Sequence, residues 1–231
     1  MTGASRGLGR ALAGFLAAGG FDLVLTARGA RALQQAADEL PGEGRYRTLA
    51  GSVTNRDHVA ALAHAAGERV DLLVHNASTL GPSPLPPLAQ AHAEALRDVL
   101  ETNVVAPLAL TQALMPALTR AHGLVVAITS DAAVGAYPGW GVYGASKAAL
   151  ELLARTLAAE LDTIDVVVVD PGDMRTDMHQ RAFPSEDISD RPAPEVTLPF
   201  FAWLLSQPRE SVNGRRFEAQ SEAWTVAGPA E

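Results

Sequence analysis

The chain of 231 residues is long enough for one large α/β domain or two small ones, and its 48% hydrophobic content can fill a sizeable core. A formal net charge of −8 argues against nucleic acid or an anionic membrane as partner, and the absence of cysteine excludes a disulfide frame and a thiolate metal site. The six histidines show no paired ligand spacing, no apolar run reaches the about 18 residues of a membrane helix, and no basic leader opens the chain. No metal and no membrane segment is therefore expected, and the compartment reads as cytoplasmic.

The first element is a glycine-rich turn, Gly3-Ala-Ser5-Arg6-Gly7-Leu8-Gly9, running into a helix over 6–18. Glycines let the backbone approach a pyrophosphate, and the helix N-terminus presents free N–H groups to it. Apolar runs at 21–26, 45–50, 72–75, 124–129 and 165–170, with a weaker one at 215–219, read as strands. Several are nearly continuous in Val, Leu and Ile, as in strands buried on both faces. Helical patterns fall between them at 30–40, 55–66, 88–118 (broken near Pro107), 143–161 and 194–206. Residues 81–87 form a proline-rich loop, and 183–194 a polar one that could be a flap or plain surface. This alternation predicts a Rossmann-like, doubly wound parallel sheet with right-handed crossovers and helices on both faces. The strand that should precede the glycine turn is missing, since only Met1 and Thr2 stand there. In such a sheet that strand is central, and losing its ladder bonds and about four buried side chains at about 2 kcal/mol each removes much of a domain's net stability.

Of the eighteen basic residues only Lys147 is a lysine, and it stands four residues after Tyr143 in Tyr143-Gly-Ala-Ser-Lys147. On a helix this spacing places both side chains on one face, one turn apart. An ammonium there favours the ionised phenol and lowers its pKa from about 10. A carboxylate about 20 residues beyond the glycine turn would bond a ribose 2′-hydroxyl. Here the strand at 21–26 is followed by Ala27-Arg28 instead. Arg28, with Arg6 in the turn, suits a 2′-phosphate, so NADP(H) is expected over NAD(H).

Taken together these motifs resemble the short-chain dehydrogenase/reductase family, in its short single-domain branch, over essentially the whole chain. Thr2-Gly3 through Gly9 resembles the family's cofactor turn, and His75-Asn76-Ala77-Ser78 its Asn-Asn-Ala-Gly segment. Asn103 matches its helix asparagine. Ser130, 13 residues before Tyr143, matches its serine, and Pro171-Gly172-Asp-Met-Arg-Thr176 its Pro-Gly-x-x-x-Thr segment. Ser78 for glycine, His75 for asparagine and Ser52 for the usual aspartate depart from the pattern and bear on cofactor contacts rather than on the chemistry.

The resemblance implies a single dinucleotide-binding domain over 1–231, with 183–206 on the substrate side. It implies an oxidoreductase that interconverts a carbonyl and a secondary alcohol on a small-molecule substrate. Tyr143 would donate the proton to the carbonyl oxygen in reduction and take it back in oxidation. Lys147 would tune Tyr143 and bond the nicotinamide ribose, Ser130 would bond the substrate oxygen, and Asn103 would hold a water behind Lys147. The cofactor would lie against Gly3, Ser5, Arg6, Gly7, Leu8, Gly9, Arg28, Ser52, Val53, Asn76, Ala77, Ser78, Tyr143, Lys147, Pro171, Gly172 and Thr176. Plainer roles compete at some positions: Ser130 and Thr176 could cap turns or helices, and Trp140 and Tyr137 could line the pocket or merely pack a loop.

The helix at 143–161 is apolar around most of its circumference, and the second half of 88–118 is rich in Ala and Leu. In the family these helices pack against a second subunit, which implies a homodimer or homotetramer of twofold symmetry. Two other readings stay open on sequence alone: a nucleotide-binding regulator without turnover, and an inactive truncated member. The resemblance also places Met1 at the last position of the family's first strand, commonly valine. A GUG codon read as a start in a GC-rich gene would account for it, and an apolar strand of about six to ten residues is then expected upstream.

Overall fold

The computed structural model describes residues 1–226. Its strands are β1 (Leu23–Ala27), β2 (Tyr46–Ala50), β3 (Leu72–His75), β4 (Leu124–Ile128), β5 (Asp165–Asp170) and β6 (Arg216–Glu218). The helices are α1 (Gly7–Ala18), α2 (Ala30–Asp38), α3 (Arg56–Ala66), α4 (Ala93–Leu100), α5 (Ala106–Ala121), α6 (Gly141–Glu160), α7 (Asp177–Ala182), α8 (Leu198–Ser206) and α9 (Arg209–Val212). All strand pairs are parallel. β1 pairs with β2, and β3, β4, β5 and β6 follow one another in a second sheet.

The continuous apolar runs of β4 and β5 have the reason expected of them, because both faces of the sheet are covered. Successive side chains point to opposite sides. Val126, Ile128, Val167 and Val169 meet Leu8 and Leu12 of α1 and Phe200, Phe201 and Leu204 of α8. Val125, Ala127, Val166 and Val168 meet Leu110, Leu114 and Leu118 of α5 and Leu150 and Ala154 of α6. Each large side chain so buried contributes about 2 kcal/mol, and the two layers together hold the strand ends in register.

The two sheets meet across the place where a central strand would run. Met1 and Thr2 occupy the C-terminal end of that slot. The Met1 amino group donates to Val24 O at 2.7 Å and Thr26 N to Met1 O at 3.1 Å. Thr2 N donates to Val74 O at 3.0 Å, and Ala4 N to Thr26 O at 3.1 Å. Burial draws the Met1 amino group down to a pKa of about 5. Beyond it the slot is a cleft of about 860 Å³ with Leu16, Leu23, Val24, Leu72, Leu73 and Leu110 among its walls. The expected gap is therefore present, yet two residues carry the ladder across it at the end where the glycine turn departs.

The helix expected at 88–118 proves to be a 3-10 turn (Leu88–Gln90), then α4, a π-helical turn (Glu101–Val105) and α5 without interruption. Pro107 does not break it: it falls directly after the π-helical turn, where the i→i−4 ladder is already interrupted, and the helical backbone continues through it. The joined stretch Ala93–Ala121 is 29 residues long and, by length and composition alone, apolar enough to cross a membrane, which corrects the expectation that no such run exists. It packs against β3, α3 and α6, the arrangement of a core helix.

Candidate active site

A cavity of about 650 Å³ opens along the C-terminal ends of β1, β3, β4 and β5, the edge where parallel α/β sheets receive ligands. The glycine turn forms one wall through Gly3, Ser5, Arg6, Gly7 and Leu8. Gly3 and Gly7 have φ of +69° and +53°, and a Cβ on Gly3 would lie 2.7 Å from Asn76 Nδ2. Gly9 is not in the wall. It lets α1 cross over the turn, since a Cβ there would meet Gly3 O at 2.1 Å.

Thr2, which the sequence marked only as the start of the turn motif, pins this turn. Its Oγ1 accepts from Asn76 N and Ala77 N, both at 3.0 Å, and donates to Val74 O at 3.3 Å. Asn76 Nδ2 then donates to Thr2 O and Gly3 O, both at 3.0 Å. Asn76 faces the cavity as expected, but its amide is engaged in holding the turn.

At the far end stand Arg28, Ser52 and Val53. Arg6 pairs with Asp177 at 2.7 Å on the surface, whereas Arg28 is exposed and, among the described residues, carries no ion pair. Ser52 Oγ lies 2.8 Å from Thr54 Oγ1 in a local turn. The walls fit a dinucleotide phosphate: a turn in which side chains would intrude, a helix N-terminus behind it, and an unpaired guanidinium where a 2′-phosphate would reach.

At the other end α6 and the end of β4 bring Tyr143, Lys147 and Ser130 together. Tyr143 is 6% exposed and Lys147 2%. Lys147 Nζ lies 5.5 Å from the Tyr143 ring centroid and donates to Ile128 O at 2.8 Å. Ser130 Oγ accepts from Ala132 N at 3.2 Å and donates to Asp131 Oδ1 at 2.9 Å. The Ser130 and Ser78 hydroxyls lie beside the Tyr143 phenol and favour its ionised form. Burial pushes that phenol above its ordinary pKa, against the pull of these two hydroxyls. Burial likewise lowers Lys147 to about 8, with Asp170 and Glu151 opposing. This corrects the expectation that the ammonium leaves Tyr143 below about 10, because withdrawal of the phenol from water outweighs what favours its charge.

Asn103 is also not in the cavity wall. It sits in the π-helical turn at 1% exposure, a distortion that recurs at functional sites. Its Oδ1 accepts from Ser78 Oγ at 3.1 Å and Thr79 N at 2.9 Å, and its Nδ2 donates to Thr79 O and Ser146 Oγ, both at 2.9 Å. All four bonds of the amide go to protein, so the side chain clamps residues 78–79 to α6 and cannot itself hold a water behind Lys147.

Pro171, Gly172 and Thr176 also line the cavity. Thr176 both lines the cavity and caps α7, accepting from His179 N at 3.2 Å. Leu80, Trp140, Met178 and His179 line the wall beside Tyr143, with Phe183 behind Trp140 at 5.9 Å between ring centroids. Tyr137 lies outside, beside Asp131. Residues 183–206 are absent from the wall. The expected contribution comes instead from α7, whose signal was a threonine cap followed by an acid, Thr176-Asp177, on a helix too short to show a period.

A parallel α/β sheet with a glycine turn at its first helix and a Ser–Tyr–Lys cluster at its strand ends is the architecture of a dinucleotide-dependent oxidoreductase. Residues 1–187 match the family described as short chain dehydrogenase. The uncharacterized oxidoreductase YciK of Escherichia coli K12 is 32% identical over 229 residues, spanning 95% of this chain and 90% of that one. Sepiapterin reductase of Xenopus laevis is 34% identical over 198 residues, spanning 79% and 75%. Among solved structures, a short chain dehydrogenase of Escherichia coli CFT073 complexed with NADPH superposes with a TM-score of 0.85 at 32% identity, covering 95% of each chain. The chain belongs to the short-chain dehydrogenase/reductase family and is an oxidoreductase of that family.

Proposed function

We propose that this protein is an NADP(H)-dependent oxidoreductase that interconverts a ketone or aldehyde and the corresponding alcohol. The observation that carries this reading is the convergence of Ser130, Tyr143 and Lys147 in the cavity that the glycine turn and Arg28 also line. The nicotinamide cofactor, when bound, supplies or accepts the hydride. Tyr143 holds the proton on its phenol oxygen and delivers it to the substrate oxygen. Ser130 turns its hydroxyl from Asp131 to the same oxygen, and the charge of Lys147 offsets the phenolate left on Tyr143. Gly3, Ser5, Arg6, Gly7, Leu8, Ser52, Val53, Asn76, Ala77, Ser78, Pro171, Gly172 and Thr176 enclose the cofactor, while Gly9 and Asn103 support the walls. Trp140, Leu80 and Met178 offer an apolar surface to the body of the substrate.

NADPH in a structural relative and the unpaired Arg28 both support NADP(H) as cofactor. We further place the protein in the cytoplasm as a single domain that pairs with a second copy of itself. Exposed apolar side chains on the long helices support the pairing: Leu152 of α6 is 68% exposed, and Val105 in the π turn is also exposed.

The test is oxidation of NADPH, followed by its absorbance, with a panel of aryl and alkyl carbonyls. Tyr143→Phe should lose about 10²–10⁴ of the rate and keep NADPH affinity, since only the proton donor is removed. Retention of more than a tenth of the rate overturns the assignment of Tyr143, and binding without turnover of any carbonyl favours the regulator. Fluorescence titration should show NADPH bound more tightly than NADH, and Arg28→Ala should erase the difference. A charge-assisted phosphate contact contributes about 1.5–3 kcal/mol. Equal affinities in the unmodified protein would exclude the cofactor preference.

A further inference from the structure

The strand end that carries Ser130 is tied to a charged side chain at each of three successive residues. Ile128 O accepts from Lys147 Nζ at 2.8 Å, Thr129 Oγ1 donates to Glu151 Oε1 at 2.8 Å, and Ser130 O accepts from Arg216 Nη2 at 3.4 Å. Glu151 lies one turn beyond Lys147 on the same face of α6. Arg216, at the start of β6, joins the remaining groups. Its Nε donates to Glu151 Oε1 at 3.1 Å, its Nη2 to Asp170 Oδ2 at 2.8 Å and its Nη1 to Glu218 Oε1 at 3.0 Å. The Glu151 and Asp170 side chains are 7% exposed and that of Arg216 14%. Asp170 Oδ1 accepts from Gly172 N at 3.0 Å, in a loop that lines the cavity.

Stability does not explain such a cluster, because withdrawing charges from water offsets most of what pairing returns and apolar replacements often serve as well. What the cluster does is register three separate segments: the serine strand end, the Lys147 face of α6 and the 171–172 loop. It also surrounds the single lysine with a defined charge. Asp170 and Glu151 favour its ammonium, burial opposes it, and the Tyr143 phenol lies beyond.

We propose that Glu151 and Arg216 are positioning residues of this site: Glu151 sets a carboxylate one helical turn beyond Lys147 and ties it to the Ser130 strand end, and Arg216 locks Glu151, Asp170 and that strand end in one arrangement. The proposal rests on the reading of Ser130, Tyr143 and Lys147 given above, but its electrostatic half can be measured without turnover. Lys147 is the only lysine in the chain. Lysine labelled with ¹³C at Cε therefore gives a single assigned side-chain signal, whose titration reports Lys147 alone in the intact protein with NADP⁺ bound.

Glu151→Gln keeps the bond from Thr129 and removes the charge. Its Lys147 midpoint should fall by about one pH unit relative to the unmodified protein, and the alkaline limb of kcat/KM should move down with it. Glu151→Asp, which keeps the charge, should leave the midpoint in place. Arg216→Lys should lower kcat about tenfold at unchanged KM for the carbonyl. If Glu151→Gln does not fold, Asp170→Asn removes the other carboxylate facing Lys147 and should lower the midpoint in the same sense. An unmoved midpoint in these charge-removing variants overturns the proposal, as does an Arg216→Lys protein with unaltered kcat. A shifted midpoint in a protein that reduces no carbonyl supports the electrostatic role of Glu151 and instead overturns the assigned reaction.

Discussion

His75 stands where the family pattern has asparagine, and it is buried with Nε2 2.8 Å from Thr111 Oγ1. Thr111 donates its own proton to Pro107 O at 2.9 Å, so Nε2 of the imidazole carries a hydrogen and donates it to Thr111 Oγ1. Burial, with the nearby Met1 ammonium second, lowers its pKa to about 3 from 6.5. The sign follows from linkage. Between these values the unfolded state binds a proton that the folded state refuses, so His75 weakens the fold progressively as pH falls from 6.5 towards 3 and has no such effect above 6.5. At about 1.36 kcal/mol per unit the loss is on the order of a few kcal/mol. His75→Asn should therefore flatten the dependence of Tm on pH between pH 4 and pH 7. Parallel curves for the two proteins, measured by circular dichroism, would show that His75 does not titrate in this way. The aspartate-to-serine departure at Ser52 is milder, because its hydroxyl closes a local turn with Thr54 and Thr54 N.

At the scale of elements, α1 and its turn divide the glycines into two kinds. Gly9 allows backbone to approach backbone, so Gly9→Ala should cost about 1–3 kcal/mol by overpacking and weaken NADPH binding with it. Gly14, in the middle of the same helix, has nothing within 4 Å of where a Cβ would stand. Gly14→Ala should therefore raise stability by up to about 1 kcal/mol and leave binding unchanged. Thermal melts and fluorescence titration of the two variants decide this, and equal effects would refute it. The strands at 72–75 and 165–170 match β3 and β5 residue for residue, because buried parallel strands carry their signal in consecutive Val and Leu. The short helix α9 and the π turn at Glu101–Val105 were not legible, and α7 only as a short helix that Thr176 could cap. A helix of four to six residues shows no apolar period, and a π turn is set by what its side chains must reach, here Asn103 to Thr79 and Ser146.

At the scale of the whole molecule, the long helices leave apolar side chains in water that the fold itself does not cover. Leu152 on α6 is the clearest, at 68% exposure. Light scattering at micromolar concentration should give a dimeric or tetrameric mass, and Leu152→Glu should reduce it to that of one chain, since a buried unpaired carboxylate costs several kcal/mol at each twofold contact. A monomeric mass for the unmodified protein would contradict the pairing.

Ser130 was marked only by the family resemblance, but the alternation of elements, the parallel sheet, the glycine turn and the Tyr143–Lys147 spacing were determined by the sequence alone. They rest on local periods and short spacings, which the backbone geometry of a strand or helix converts directly into faces and ends. Tertiary structure decided what depends on segments distant in the chain. It made Thr2 the pin of the glycine turn, engaged the amides of Asn76 and Asn103 in clamping bonds to the protein, and placed α7 rather than residues 183–206 in the cavity wall. It also set the charge balance at the site. Whether burial or a neighbouring ammonium governs a phenol depends on how completely surrounding chains exclude water, and whether Arg216 meets Glu151 and Asp170 depends on strand order, neither of which a local pattern encodes.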